Sequence, residues 1–264
     1  MEKIRKKIPT GTKEWATSNV NFISGCSHNC RYCYAKKMAI RFGKKTESNW
    51  KVMELNKNKL DQKYRKRKGR IMFPSSHDII PEFKDACFLV LEKLLDSRNS
   101  VLITSKPHFN VVKELCNKFV YFRDQIQFRF TITSINNETL KFWEGGAPSF
   151  EERLKSLKYA HFMKYKTSVS IEPFLDKNPI PLINKLYPFV SDTIWLGKMN
   201  YIDRKNLLST ETYYYEKIRK NYTRKNLQEI VNKLIKFRKI RYKDSIKKMS
   251  LQIPYFQIPK INLT

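Results

Sequence analysis

The chain predicts an α/β fold: a partial (β/α)6 TIM-like barrel over residues 1–200, followed by a basic, aromatic-rich C-terminal extension over residues 201–264. Three observations carry this. Six β-rich runs alternate with helical patterns. None is joined to the next by a tight hairpin turn, which argues for parallel strands with right-handed crossovers. Two of the strands are polar on one face, whereas a flat parallel sheet covered by helices on both sides is apolar on both. The sheet is therefore expected to curl, with its polar side lining a site.

The elements follow in order. Residues 19–25 (NVNFISG) read as a strand running into a cysteine cluster, and a helix follows from about Tyr34. Residues 70–74 form a second strand that ends at Ser75-Ser76-His77-Asp78. Pro81 opens a helix with Phe83, Val90, Leu91 and Leu94 on its apolar face. Residues 101–104 (VLIT) are a short buried strand, followed by a helix over roughly 110–119. In residues 127–134, Arg129, Thr131 and Thr133 oppose Phe128, Phe130 and Ile132. A helix over 149–162 starts with a capping box, Ser149 and Glu152. In residues 167–172, Ser168, Ser170 and Glu172 oppose Val169 and Ile171, and residues 192–197 are the sixth strand. A last helix over about 224–241 carries Leu227, Ile230, Leu234 and Phe237 on one face. In barrels of this type the chemistry sits at the C-terminal ends of the strands.

At 264 residues and 41% hydrophobic, the chain suffices for one large domain with a small appendage. No apolar run reaches the length of a membrane span, and the basic start (MEKIRKKIPT) is not followed by a secretory pattern. A soluble, cytoplasmic protein is the expectation. The net charge of +29, from 53 basic and 24 acidic residues, points to a polyanionic partner, nucleic acid first.

Three of the five cysteines fall within eight residues, as Cys26-x3-Cys30-x2-Cys33. Such crowding suits a metal or cluster site rather than a disulfide framework. Four thiolates saturate a [4Fe-4S] cluster; three leave one iron open to a substrate or cofactor. Gly25, just ahead of the loop, suits a tight turn around a cluster. The rival is zinc, with His28 as a fourth ligand. Zinc sites usually draw on two separated pairs, and His28 lies so close to Cys26 and Cys30 that a fourth bond from it would strain the loop.

The string GCSHNCRYCYA resembles the signature of the radical S-adenosylmethionine superfamily, in which an aromatic residue, here Tyr32, precedes the third cysteine. The segments MFPSSHDIIPE, VLITSKPH, FWEGGAPSFEERLKSLKYA and TSVSIEPFLD look like the branch of DNA repair photolyases related to spore photoproduct lyase. The resemblance runs over about residues 20–197. It implies a radical SAM barrel with a [4Fe-4S] cluster on Cys26, Cys30 and Cys33 and S-adenosylmethionine as the second cofactor. Cleavage of that cofactor to methionine and a 5′-deoxyadenosyl radical would drive a lyase-like reaction on DNA, with flavodoxin or ferredoxin as electron donor. Radical modification of RNA or protein, and a non-catalytic nucleic-acid-binding module, are the alternatives. Position by position, the family picture sets Tyr32 near the adenine, Ser75 and Ser76 at the methionine amino group, although the usual Gly-Gly-Glu is absent, and Thr133 or Ser134 at the ribose. Ser170 and Glu172 become cofactor or substrate contacts, and Lys106 or Lys198 partners for the carboxylate.

Other residues read less sharply. Cys87 and Cys116 sit on core stripes, although the lyase relies on a cysteine as hydrogen-atom donor. His77 and Asp78 suit substrate contact or loop structure equally. Glu144, before Gly145-Gly146, is a candidate to face the site, His161 reads as packed, and Glu152 as a cap. The basic run at residues 65–70 and Tyr213, Tyr214, Tyr215 and Tyr222 suit either a nucleic-acid surface or solvated and packed faces.

Overall fold

The computed structural model describes residues 10–203, 207–249 and 251–254; the basic residues 1–9 lie outside them. The strands are β1 (Ser18–Asn19), β2 (Ile23–Ser24), β3 (Glu54–Leu55), β4 (Arg70–Phe73), β5 (Ser100–Ser105), β6 (Ile126–Thr131), β7 (Lys166–Ile171), β8 (Ile194–Leu196) and β9 (Ile240–Tyr242). The helices are α1 (Tyr34–Arg41), α2 (Lys57–Asp61), α3 (Lys84–Asp96), α4 (Phe109–Lys118), α5 (Asn137–Trp143), α6 (Phe150–Phe162), α7 (Ile180–Leu186), α8 (Ser209–Asn221), α9 (Arg224–Leu234) and α10 (Asp244–Lys247).

Seven strands form one sheet in the order β1-β4-β5-β6-β7-β8-β9, every neighbouring pair parallel. Chain order and spatial order coincide and never reverse. Right-handed crossovers then place all connecting helices on the same face. That face is apolar: Ile71, Phe73, Val101, Ile103, Phe128, Phe130, Val169, Ile171, Ile194 and Leu196 belong to the buried core with Val90, Leu94, Leu115 and Leu157 of the helices. Among the described residues the opposite face has no helical layer, and it encloses itself by curling.

The inward residues are polar and nevertheless buried. Arg129, 1% exposed, lies with its guanidinium carbon 4.7 Å from the Trp15 ring centre and 5.3 Å from that of Trp195. Its Nε donates to Ser168 Oγ at 3.0 Å. Beneath, Arg70 bonds Gln127, and Gln127 donates to Asp192 at 2.8 Å. Cation–π attraction to the two indoles offsets part of the cost of burying the guanidinium, whose Nη1 has no hydrogen-bond partner.

The sheet stays open, with β1 and β9 at its edges. The chain just ahead of β1 crosses that gap. The buried Glu14 carboxylate takes the Lys243 ammonium, at the end of β9, at 2.5 Å and Lys247 of α10 at 2.7 Å. Lys243 also donates to the Gly11 carbonyl at 2.7 Å.

Three differences between sequence and structure bear on how the sheet is closed and braced. The run 19–25 splits: β1 joins the main sheet, while β2 leaves it to pair antiparallel with β3. The break falls at Val20, whose backbone N–H still bonds the Met72 carbonyl while the chain beyond it turns toward the cysteine loop. The helix expected to reach residue 241 stops at Leu234, and residues 240–242 become β9, a seventh strand. Its pattern, Ile240 and Tyr242 buried about Arg241, is too short to reveal a strand until β8 offers its free edge. Lastly, Ser149 does cap α6, accepting from Glu152 N–H at 3.3 Å, but the Glu152 carboxylate reaches the Phe109 N–H at 2.9 Å, tying α6 to the start of α4.

The clasp across the gap is a buried ion pair, and removing one partner strands a charge in the interior. Glu14→Ala is expected to lower unfolding free energy by about 3 kcal/mol, read from urea denaturation.

Candidate functional site

The C-terminal ends of the strands surround a cavity of about 970 Å³. Ligand pockets run from roughly 300 to 1,000 Å³, so this one has room for a cofactor and part of a second molecule. Cys26, Cys30 and Cys33 line one wall; Ser75, Ser76, His77, Asp78 and Lys106 continue it; Ser170, Glu172, Lys198 and Lys243 face them; Trp15 and Gly11 contribute from the N-terminal segment.

The cysteine loop is held from several sides. Gly25 has φ +89°, and a Cβ there would stand 2.3 Å from the Val52 carbonyl oxygen, so only glycine lets the chain turn this tightly against residues 50–52. Cys26 N–H bonds the Trp50 carbonyl at 3.0 Å, and Arg31 N–H that of Trp143 at 2.9 Å. Gly146 presses on the loop closely enough that a Cβ would meet Ser27 O at 2.4 Å. Cys33 caps α1, its sulfur accepting the Lys36 N–H at 3.4 Å.

His28, buried inside this loop, is the principal side-chain brace. Its Nδ1 lies 3.2 Å from Asp78 Oδ2, and its Nε2 lies 3.2 Å from Nε2 of His108. Asp78 also accepts from Ser105 Oγ and from the N–H groups of Lys106 and Ile79, both at 2.8 Å. Burial alone would raise its pKa, but the His28 ring, the Lys106 ammonium and Ser105 outweigh it and hold the carboxyl at about 2. The His28 Nε2 is thus taken by His108 while Nδ1 faces the Asp78 carboxylate, so the ring is turned toward β4 and α4.

The donor set suits a [4Fe-4S] cluster. Burial pushes the Cys26 thiol up to about 12 and raises Cys30 as well. Thiols so placed keep their protons until a cation replaces them, as iron does on binding. Three thiolates on one loop leave the fourth position of a cube to a ligand from the cavity. The Lys106 pKa is pushed up: burial opposes its charge, but the Glu144 and Asp78 carboxylates favour it, as Cys30 would once it is a thiolate. It lies 5.5 Å from the Tyr32 ring centre.

The family-derived contacts divide. Tyr32, Ser75, Ser76, Ser170, Glu172, Lys106 and Lys198 all line the cavity. The N–H groups of Ser75 and Ser76 are taken by Asn21 Oδ1, at 2.7 and 3.0 Å, which fixes the bend after β4. Thr133 and Ser134 are fully buried and turned away; their hydroxyls bond Glu144 at 2.7 Å and Asp176 at 2.5 Å. Glu144 lies beneath the site rather than in it, bonded to Tyr32 Oη and paired with Arg153 at 2.5 Å. His77 is buried, edge-on to Phe22 with ring centres 5.4 Å apart. Cys87 and Cys116 are fully buried in the core, and His161 packs on Phe189. Tyr214 stacks on Phe142 at 3.9 Å, Tyr215 packs on Trp143, and Tyr222 Oη donates to the Phe174 carbonyl, so these three rings are committed to packing. The basic run leads into the first residue of β4, at the end of the sheet opposite the cavity.

Sequence reasoning missed His108, Asn21, Arg153 and Lys243. Arg153 could have been suspected, because it falls on the apolar face of α6 with Phe150 and Leu157. Lys243 carried no signal among 53 basic residues.

Two outcomes follow. Asp78→Asn removes a charged acceptor from the brace while keeping its shape. Outer partners of metal sites are worth roughly 10–100-fold in affinity, so anaerobically reconstituted Asp78→Asn is expected to lose iron to a competing chelator at least tenfold more readily than the parent. Glu172 has its pKa raised to about 7, first by burial, with Lys243 opposing and Glu14 and Asp244 adding to the rise. The folded state therefore holds a proton that the unfolded state releases at lower pH. The resulting stabilisation is complete below the ordinary carboxyl range and is lost as pH rises through about 7. Glu172→Gln is expected to flatten that decline in urea midpoints measured from acid to neutral pH.

Comparison with known proteins matches the radical SAM superfamily model to residues 20–177. An uncharacterized protein, ORF301 of Acidianus two-tailed virus, is 26% identical over 178 residues, 63% of this chain and 58% of that one. Spore photoproduct lyase complexed with dinucleoside spore photoproduct superposes with a TM-score of 0.51 at 14% identity, over 83% of this chain and 64% of the lyase. Streptococcus suis SuiB bound to S-adenosylmethionine gives 0.44 at 12% identity, over 76% and 43%. The chain thus spans under two thirds of each of these proteins, and the lyase likeness speaks for the fold alone. The superfamily match extends from the turn before the cysteine loop to beyond β7, more than half of the chain, and on that match the chain belongs to the radical SAM superfamily.

Proposed function

We propose that the protein is a radical S-adenosylmethionine enzyme that holds a [4Fe-4S] cluster on Cys26, Cys30 and Cys33 and acts on DNA in a lyase-like, photoproduct-repair manner. The observation that carries the cofactor reading is the placement of these three thiols on one braced loop along the wall of a cavity with room beyond a single ligand. When bound, the cluster and S-adenosylmethionine supply one-electron cleavage of the sulfonium and a hydrogen-abstracting 5′-deoxyadenosyl radical.

The chain's own residues would bind, orient and shield. The Lys106 ammonium, its charge favoured by Asp78 and Glu144, would offer a positive charge to the carboxylate of the methionine portion. The Tyr32 ring, pinned by its hydroxyl to Glu144, presents a flat wall beside the loop. Ser170 and Glu172 on the far wall offer hydrogen bonds to hydroxyls of the cofactor or substrate. Trp15, inserted from the N-terminal segment, excludes water from the barrel interior beneath Arg129. An external one-electron donor, such as flavodoxin or ferredoxin, completes the requirement.

Two features support DNA. The charge of +29 suits a polyanion, and the lyase that shares the fold is complexed with a dinucleoside photoproduct. Anaerobic reconstitution is expected to give a brown protein that releases 5′-deoxyadenosine with dithionite and S-adenosylmethionine, and Cys30→Ala is expected to abolish both. DNA binding should weaken steeply with salt. Colourless, zinc-holding protein would overturn the cofactor reading; no DNA binding at low salt would overturn the substrate alone.

A further inference from the structure

The rim of the cavity carries exposed apolar side chains, of which Tyr34 also donates its hydroxyl to the Ser75 carbonyl at 2.8 Å. Tyr34, Met38 and Phe42 recur every fourth residue from the start of α1 to its C-cap and are 45%, 39% and 64% exposed. One stripe of this helix therefore turns its large apolar side chains to solvent, against the usual pattern. Tyr201, 54% exposed, stands beside it, its ring centre 5.3 Å from the Lys37 ammonium. Tyr34 and Tyr201 also line the cavity, so the exposed stripe and the cavity are one continuous surface.

The charge on this helix has a single sign. Lys36, Lys37 and Arg41 lie on α1, Lys44 follows, and the helix has no acidic residue. Lys36 and Lys37 are half-buried and pair with the exposed carboxylates of Glu47 and Asp203, which leaves Arg41 and Lys44 as the cations open to another anion. Arg41 lies over the Phe42 ring at 5.9 Å. Rings interleaved with cations are what a nucleic acid strand needs: faces on which bases stack and charges for its phosphates.

We propose that the outer face of α1, with Tyr201, is the platform on which a nucleic acid strand lies while the reacting nucleotide enters the cavity. The proposal rests on the DNA reading above. From Tyr34 to Phe42 the helix is about 12 Å long, which matches three to four base steps at about 3.4 Å each. An acidic electron carrier would also suit the charge. It has no need to touch the cavity lining, however, and bound here it would block the route by which a polymeric substrate reaches the cysteine loop.

The test is fluorescence anisotropy of a short labelled DNA strand with reconstituted protein. Loss of one base stack is worth about 5- to 150-fold, so Phe42→Ala should weaken binding within that range. Arg41→Gln and Lys44→Gln together should reduce the slope of log affinity against log salt by about 1 to 2. Iron content and S-adenosylmethionine binding of the same variants report that the fold is intact. If the parent binds DNA and the Phe42→Ala/Arg41→Gln/Lys44→Gln variant binds it equally well, the platform is refuted and the DNA reading stands. If that variant binds DNA normally but is reduced more slowly by an acidic flavodoxin, the face belongs to the electron donor and the platform is again refuted. If the parent fails to bind, both readings fall together.

Discussion

A parallel sheet laid down in strict chain order has only one face for its helices, and the other architectural features answer to that constraint. The uncovered face must close on itself or expose a broad surface to water. Here it closes around polar residues. Arg129 between two indoles and the Arg70–Gln127–Asp192 chain fill the interior with stacked and hydrogen-bonded groups. The cavity then has one place to be, above this plug at the C-terminal ends of the strands.

Two buried charge systems occupy the two sides of that cavity and do different work. On one side, Asp78 after β4 meets His28 of the cysteine loop, and Glu144 after α5, paired with Arg153 of α6, takes the Tyr32 hydroxyl. On the side of β9, Lys243 and Lys247 grip Glu14 and fasten the two edges of an open sheet. Glu172 touches the second system, with Lys243 at 3.9 Å, while its carboxyl lines the cavity. Closure of the barrel and the electrostatics of the site are therefore linked through one lysine.

The C-terminal extension is part of this construction. Tyr214 and Tyr215 of α8 pack on Phe142 and Trp143 of α5, and the Trp143 carbonyl holds the Arg31 N–H inside the cysteine loop. β9 supplies the last strand, and the turn after it supplies Lys243. Tyr214, Tyr215 and Tyr222, which suit base stacking in the sequence, are spent here on packing, while Tyr213 stays 63% exposed; the exposed rings at the rim of the cavity lie on α1 and at Tyr201.

The cysteine spacing and the alternation in residues 127–134 and 167–172 were legible without a structure, because both are local: thiols on one loop share a site, and a period of two assigns faces. From them came the grouping of three thiols on one loop, the parallel strands and the inward placement of Ser170 and Glu172. Contacts between distant segments were not legible. His28 shows itself as a brace only when the turn after β4 and the start of α4 bring Asp78 and His108 to its two nitrogens. Thr133 and Ser134 follow the last residue of β6, where the chain turns and buries their hydroxyls, so alternation no longer governs where they point. Lys243 is one of 53 basic residues until the open edge of β8 captures residues 240–242 and carries it to Glu14. Periodicity reports which face a side chain takes within its own element; only the folded sheet decides which partner waits there.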